Sequence, residues 1–341
     1  MVSGGAGAVP LMLTSERLAD LPPTLFFHAR AKLAQALEKR HFKLLTAFAD
    51  HARGQGWRVE VLDGAAGQHE VAAAYPQHLH VFMEDRPFYA RNLFHCVPSY
   101  LRGYWFFDQI GTRNNSLARL ALFDAEAVPR RKAERFLAKL EAEFVGQNRS
   151  KFEQMPRGAE AIAPGCLAFF AQDFKPPKHH AHYLTVPQMI EAAIAAKGRR
   201  ALYIKPHPNQ SFDELEILSR YHAPEAGVHV VTASIHDLLA ACDCALTLSS
   251  AVGFEAFLHR KPVVLGGQVD FWQNAITLTE PAQMAGAIAT AMARDWPYAG
   301  FLHWYLQQMC LEDKPEDLPR LLARLHQRGY ALGDAAGRGY F

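Results

Sequence analysis

Two short stretches of the chain hold side chains that could grip an anion. Ser249 and Ser250 follow the apolar run Cys244 to Leu248 and open a segment of helical spacing, Val252 to His259. Where a strand passes straight into a helix, main-chain N–H groups lie unpaired at the positive end of the helix dipole. Two hydroxyls at that point, with the small residues Ala251 and Gly253 letting a ligand come close, make a phosphate site. A serine also caps a helix unaided, which accounts for one of the pair better than for both. Lys205-Pro206-His207-Pro208 ends a second apolar run, Ala201 to Lys205, at the strand edge where ligands sit. Its two prolines stiffen the loop around His207. An imidazole held there, protonated or as an N–H donor, can neutralise charge on a departing phosphate. A rigid turn carrying an exposed histidine is the plainer alternative. Glu255 follows Ser250 by a little over one helical turn; it could accept hydrogen bonds from ribose hydroxyls or stand solvated near the helix start.

The elements that must position these groups repeat a strand–helix alternation. In the second half, strands are expected at Cys166 to Phe170, Ala201 to Lys205, Val228 to Val231, Cys244 to Leu248 and Pro262 to Leu265, with helices between them. The first half offers strands at Thr24 to His28, Trp57 to Leu62, Leu79 to Met83, Leu93 to Val97 and Tyr104 to Phe107, and one long helix over residues 31–53. Such alternation implies parallel pairing in an α/β fold. A polar stretch with Pro156, Gly158 and Pro164 follows the charged helix of residues 129–145, and a domain boundary is expected there: residues 1–150 and 151–341, two doubly wound halves facing a cleft. Three terminal helices, near 281–294, 299–310 and 315–328, are expected to close the second domain and pack back toward the first.

Composition excludes several classes. A formal charge of +2 over 341 residues gives no field that would draw the whole chain to nucleic acid. No apolar run reaches the roughly 18 residues of a membrane helix, and the Gly- and Ala-rich start reads as a loose end without the basic region of a signal peptide. The five cysteines, including Cys242-Asp243-Cys244, form no disulfide or zinc pattern and read as buried thiols. His179, His180 and His182 share a Pro-rich loop but lack a spaced carboxylate, so no metal site is expected.

Lys205-Pro206-His207-Pro208, Ser234-Ile235-His236-Asp237-Leu238-Leu239 and the run from Leu248-Ser249-Ser250 through Glu255 to Lys261-Pro262-Val263-Val264 resemble the capsule polysaccharide biosynthesis proteins. That family includes bacterial Kdo transferases of the GT-B fold, which use CMP-activated donors; bacterial sialyltransferases share the His-Pro and Ser-Ser landmarks. The resemblance implies that His207, Ser249 and Ser250 contact the CMP phosphate, with Lys205 and Gly253 in the same two motifs, and that Glu255 holds the ribose. It covers about 60 residues; the rest agrees in pattern and length. The donor would be a substrate and no cofactor is implied, nor does an Asp-x-Asp metal motif occur.

A carboxylate to deprotonate the acceptor hydroxyl is expected from the first half. Asp108, ending the aromatic run Gly103 to Phe107 before Gly111, is the first candidate; Glu84 and Asp85 are its rivals. Arg86, Arg91 and Arg102 lie in the same region, where a guanidinium would suit a sugar carboxylate. Gln172-Asp173, at the end of the first strand of the second half, also faces the expected cleft. The sequence thus reads as a cytoplasmic glycosyltransferase passing Kdo or a related ulosonic acid to a glycan or glycolipid. The basic cluster Arg130, Arg131, Lys132 and Arg135 offers peripheral contact with the inner membrane. The alternatives are a teichoic-acid-type enzyme transferring a polyol phosphate from a CDP donor, and a non-catalytic glycan- or nucleotide-binding subunit.

Overall fold

The computed structural model describes residues 15–63, 68–175, 182–330 and 332. Its chain divides into two compact units, one of residues 1–99, 103–117 and 310–341, the other of residues 100–102 and 118–309. The division falls elsewhere than residue 150. The helix Arg130–Leu140 buries Ala133, Leu137 and Leu140 within the second unit. The last helix, Leu318–Gln327, puts Leu321 and Leu325 into the core of the first unit and does not close the second.

The first unit is built on β1 (Thr24–Ala29), β2 (Arg58–Asp63), β3 (Leu79–Phe82), β4 (Leu93–Pro98) and β5 (Tyr104–Asp108). Four of these run parallel. The fifth does not: β5 pairs antiparallel with β4, because only a tight turn through Gly103, at φ 86°, joins them and a parallel crossover needs a helix. The helix expected over 31–53 is two, Ala31–Glu38 and Lys43–Gly54. Arg40 sits between them at φ 58°, a left-handed turn that ends the first helix, and its guanidinium holds Asp50 of the second.

In the second unit β6 (Cys166–Phe170), β7 (Leu202–Lys205), β8 (Val228–Val230), β9 (Cys242–Thr247), β10 (Val263–Leu265) and β11 (Ile276–Thr277) form one all-parallel sheet. The strand order is β11-β10-β9-β6-β7-β8. From β6 the chain winds outward through β7 and β8; it then returns to β9 and winds the other way. The order reverses between β6 and β9, and the C-terminal edge of such a reversal is where α/β sheets bind ligands. Parallel strands are covered on both faces, and β6 is buried at every position. All five cysteines are buried free thiols. The first unit's sheet closes with β12 (Leu311–Glu312), antiparallel to β5. No helix among the described residues is long and apolar enough to cross a membrane.

One face of the first sheet is unusual. Leu25 and Phe27 of β1 belong to the apolar core; the alternate residues Phe26 and His28 meet His80 and Phe82 of β3. His28 Nε2 lies 2.9 Å from His80 Nδ1, and His69 stacks on Phe82 at 3.9 Å. Burial holds these imidazoles neutral, His28 down at about 3 and His69 at about 4, with His80 also far below the usual range. An unfolded histidine takes its proton near about 6.5. As pH falls below that value the unfolded chain gains protons that the folded unit refuses, so stability is lost from about 6.5 down toward about 3. The urea midpoint should therefore decline steadily through that window, and replacing His28 by Gln should flatten the decline; parallel curves for the two proteins would contradict it.

Candidate functional site

The amide of Gln172 sits at the reversal point of the second sheet. Two residues beyond β6, its Oε1 accepts the main-chain N–H of Ser249 at 2.7 Å, and its Nε2 donates to Ser249 Oγ at 3.3 Å. Thr247, the last residue of β9, donates its hydroxyl to Phe170 O at 3.0 Å. The ends of β6 and β9 are thereby tied side chain to main chain. A third tie reaches the His-Pro loop: Gln210 donates to Gln172 O at 3.3 Å and accepts the main-chain N–H of His207 at 2.7 Å. One residue thus joins both motifs singled out from the sequence.

Each motif has a different state. Ser250 caps the helix Ala251–Glu255, its hydroxyl accepting from Val252 N at 3.3 Å, so the capping reading holds for this serine. Ser249 is not the cap. Its Oγ takes the Gln172 N–H and lies 2.7 Å from His182 Nε2. When His182 also donates, both hydroxyl lone pairs are filled and the Ser249 proton is left to point at an anion. His182 is held by a bridge to Gly267, one residue past the main-chain contacts of Gly266 with Tyr183 and Leu184. His179 and His180 lie outside the described residues.

In the His-Pro loop, Asn209 N donates to His207 Nδ1 at 3.2 Å. This places the proton of the neutral ring on Nε2, which becomes an N–H donor. Burial lowers the His207 pKa against the pull of Asp173, whose Oδ1 is 4.0 Å from Nδ1, so the ring works at neutral pH mainly as an uncharged donor. Phe152 meets it edge-on with centroids 5.1 Å apart.

Four sequence expectations need correction. Lys205 Nζ donates to the carbonyls of Thr232 and Ala233, at 3.0 and 2.7 Å, and so clamps the loop after β8; it does not stand free for a phosphate. Gly253 gives close approach to the protein's own core: a Cβ there would meet Thr247 at 3.3 Å and Phe271 at 3.4 Å. Glu255 is not solvated but 1% exposed, with Ser150 Oγ donating to its Oε1 at 2.9 Å and no partner on Oε2. Burial raises its pKa to about 8, against the Ser150 hydrogen bond and Lys151, so the carboxyl is protonated at neutral pH. The polar stretch after residue 146 is no free linker either. Ser234 donates to Asn148, Ile235 N to Gln154, and His236 Nε2 lies 2.9 Å from Arg149 O. Through Ser150 on Glu255 and Phe152 on His207, this strap touches both motifs. Its composition gave no sign of that, because its polar side chains serve as caps and braces.

In the first unit, both Asp108 oxygens accept main-chain N–H groups, from Ile110 at 2.8 Å, Gly111 at 3.4 Å and Leu117 at 2.7 Å. Asp108 therefore braces its loop; burial raises its pKa despite those bonds. Asp85 is held by Thr112 and Arg113, and Glu84 lies 3.2 Å from His69. Arg86 pairs with Glu70, Arg91 donates to Gly329 O and Arg102 to Lys151 O, so the three arginines form no common cluster.

Comparison with protein-family models matches residues 177–295 to the family described as capsule polysaccharide biosynthesis protein. That part of the chain is similar to the capsule polysaccharide biosynthesis proteins. It carries the His-Pro loop, His182, both serines and Glu255; Gln172 and the strap at 150–152 lie outside it. Among solved structures, the chain is similar to the beta Kdo 2,7 transferase of Thermosulfurimonas dismutans KpsC, with TM-score 0.51 and 12% identity over 89% of this chain and 99% of that one. The beta Kdo 2,4 transferase of the same protein gives 0.47 and 16% over 83% and 90%. Anabaena Alr3699/HepE in complex with UDP-glucose gives 0.41 and 13% over 89% and 99%. The first of these likenesses establishes a GT-B-like α/β fold. No curated protein sequence matches.

The protonated Glu255 gives a test of the site's electrostatics. An unfolded carboxyl ionises as pH rises past about 4.5, while the folded one waits until about 8; stability therefore declines between those values. Glu255→Gln should remove that decline, so its melting temperature should gain on the wild type between about pH 5 and about pH 8.5. A constant difference across the range would show that the carboxyl is ionised in the fold.

Proposed function

We propose that the chain is a glycosyltransferase of surface polysaccharide synthesis that takes its sugar, Kdo or a related ulosonic acid, from a CMP-activated donor. The observation that carries this reading is the tie of Ser249 directly, and of the His207 loop through Gln210, to Gln172 at the switch point of the second sheet. The Ser249 hydroxyl and the Nε2–H of His207 supply donors of the kind a leaving phosphate requires. They act when the glycosidic C–O bond breaks and charge gathers on the CMP phosphate. The acceptor hydroxyl passes its proton to solvent as it bonds to the anomeric carbon; Asp108, with both oxygens held by main-chain amides, braces its own loop and is not assigned as the base. Glu255, protonated and buried, holds Ser150 of the strap beside the site rather than touching the nucleotide. Lys205 positions the floor of the loop and Gly253 the helix.

The match to the capsule family over the donor-site motifs supports this assignment. The exposed Arg130, Arg131, Lys132 and Arg135 form a basic face suited to anionic headgroups beside a glycolipid acceptor. A panel of nucleotides read by thermal shift tests the donor class, since bound ligand stabilises by mass action. CMP should stabilise more than UDP, UMP or GDP. Ser249→Ala and His207→Ala should each weaken CMP binding by about tenfold, the loss of one charge-assisted hydrogen bond. A larger shift with UDP would sink the CMP assignment, and a phosphodiester in the product would replace sugar transfer with polyol-phosphate transfer.

A further inference from the structure

Past β10 the second unit carries a groove that the donor site does not use. The Trp272 side chain lines two adjoining hollows. One, of about 370 Å³, is formed with Arg119, Leu120, Tyr183, Gln268 and Thr277. The other, of about 400 Å³, is formed with Phe123, Gln273, Arg294 and Pro297. Large apolar side chains are normally turned inward, yet Trp272 is 44% exposed, Tyr183 41% and Leu120 67%.

Their polar atoms are arranged to leave faces and donors outward. Trp272 Nε1 donates to Arg119 O at 3.1 Å, which fixes the indole and spends its only donor inside, so it presents a ring face. Gln268 Nε2 donates to Tyr183 OH at 2.7 Å, leaving the phenol proton for an outside acceptor. Each hollow carries one arginine, and no carboxylate lines either. Fixed aromatic faces suit the C–H faces of a pyranose ring, a phenol and an amide suit its hydroxyls, and guanidinium suits a carboxylate. The groove adjoins the donor site through the chain itself, because Tyr183 follows His182, the neighbour of Ser249.

We propose that this groove binds an acidic oligosaccharide, with one sugar on each side of Trp272. The assignment of a glycan rests on the glycosyltransferase reading and adds to it a place, within the donor-binding unit, that grips the chain being extended.

Oligogalacturonate serves as the carboxylated probe, with dextran oligosaccharides as the neutral control and phosphatidylglycerol vesicles as the lipid control, each titrated calorimetrically into the full chain. Oligogalacturonate should bind, more weakly as salt rises, and at least about tenfold more tightly than dextran. Trp272→Ala should weaken it by about tenfold and Trp272→Phe by much less. Leu120→Glu, at an exposed position where folding is not in question, should weaken it similarly by placing a negative charge in the groove. The CMP thermal shift should be unchanged in all three variants. The proposal is overturned if oligogalacturonate does not bind, if the variants bind it as the wild type does, if dextran binds equally, or if only vesicles bind. Failure of CMP to stabilise the wild type would strike the donor reading, while oligogalacturonate binding lost in Leu120→Glu would still support the groove.

Discussion

The side-chain amide of Gln172 spans the gap where the second sheet reverses its order, and it ties the end of β6 to Ser249 there. Strands that wind away from each other leave a crevice at their C-terminal ends with main-chain groups unpaired. Gln172 closes part of that crevice by pairing with the N–H and the hydroxyl of Ser249, and it holds the His-Pro loop through Gln210. An amide suits the task because it donates and accepts at once without bringing a charge. An apolar side chain there would leave Ser249 N–H without its partner.

Around this hub, charge is kept low. Lys205 is spent on carbonyls, His207 is held neutral by burial, and Glu255 is protonated. A site that binds phosphate through oriented neutral donors loses little reorganisation energy when charge develops. The first unit follows the same economy of charge in a different way, with a sheet face of neutral histidines and an Asp108 satisfied by main-chain amides.

The strand–helix alternation of the second unit was legible because parallel strands are continuous apolar runs, and each of its named strands stands within a residue or two of where the pattern puts it. Ser249, Ser250 and His207 were legible because both motifs lie where strands end. What escaped was long-range. β5 turned antiparallel because its connection to β4 is too short for a crossover. The strap at 146–165 reads as loop by composition, yet Asn148, Ser150 and Gln154 are polar in order to satisfy the second unit's own groups. The contacts of Lys205 and Gly253 escaped for a related reason, since a lysine or glycine at a strand edge serves the protein's own carbonyls and core as readily as a ligand. His182 was visible as a histidine, but only the bridge to Gly267 aims it at Ser249.

The central claim is that Gln172 makes one site of two motifs. A double-mutant cycle on CMP affinity tests it directly, pairing Gln172→Ala with Ser249→Ala and, separately, Gln210→Ala with His207→Ala, because the tie to the His-Pro loop runs from the Gln210 amide to the main-chain carbonyl of Gln172. Because each amide acts through its partner, each double variant should lose less than the sum of its single losses, by more than the roughly 0.5 kcal/mol within which independent sites add. Losses that simply add in both cycles would show that the two motifs bind independently and that Gln172 is a bystander.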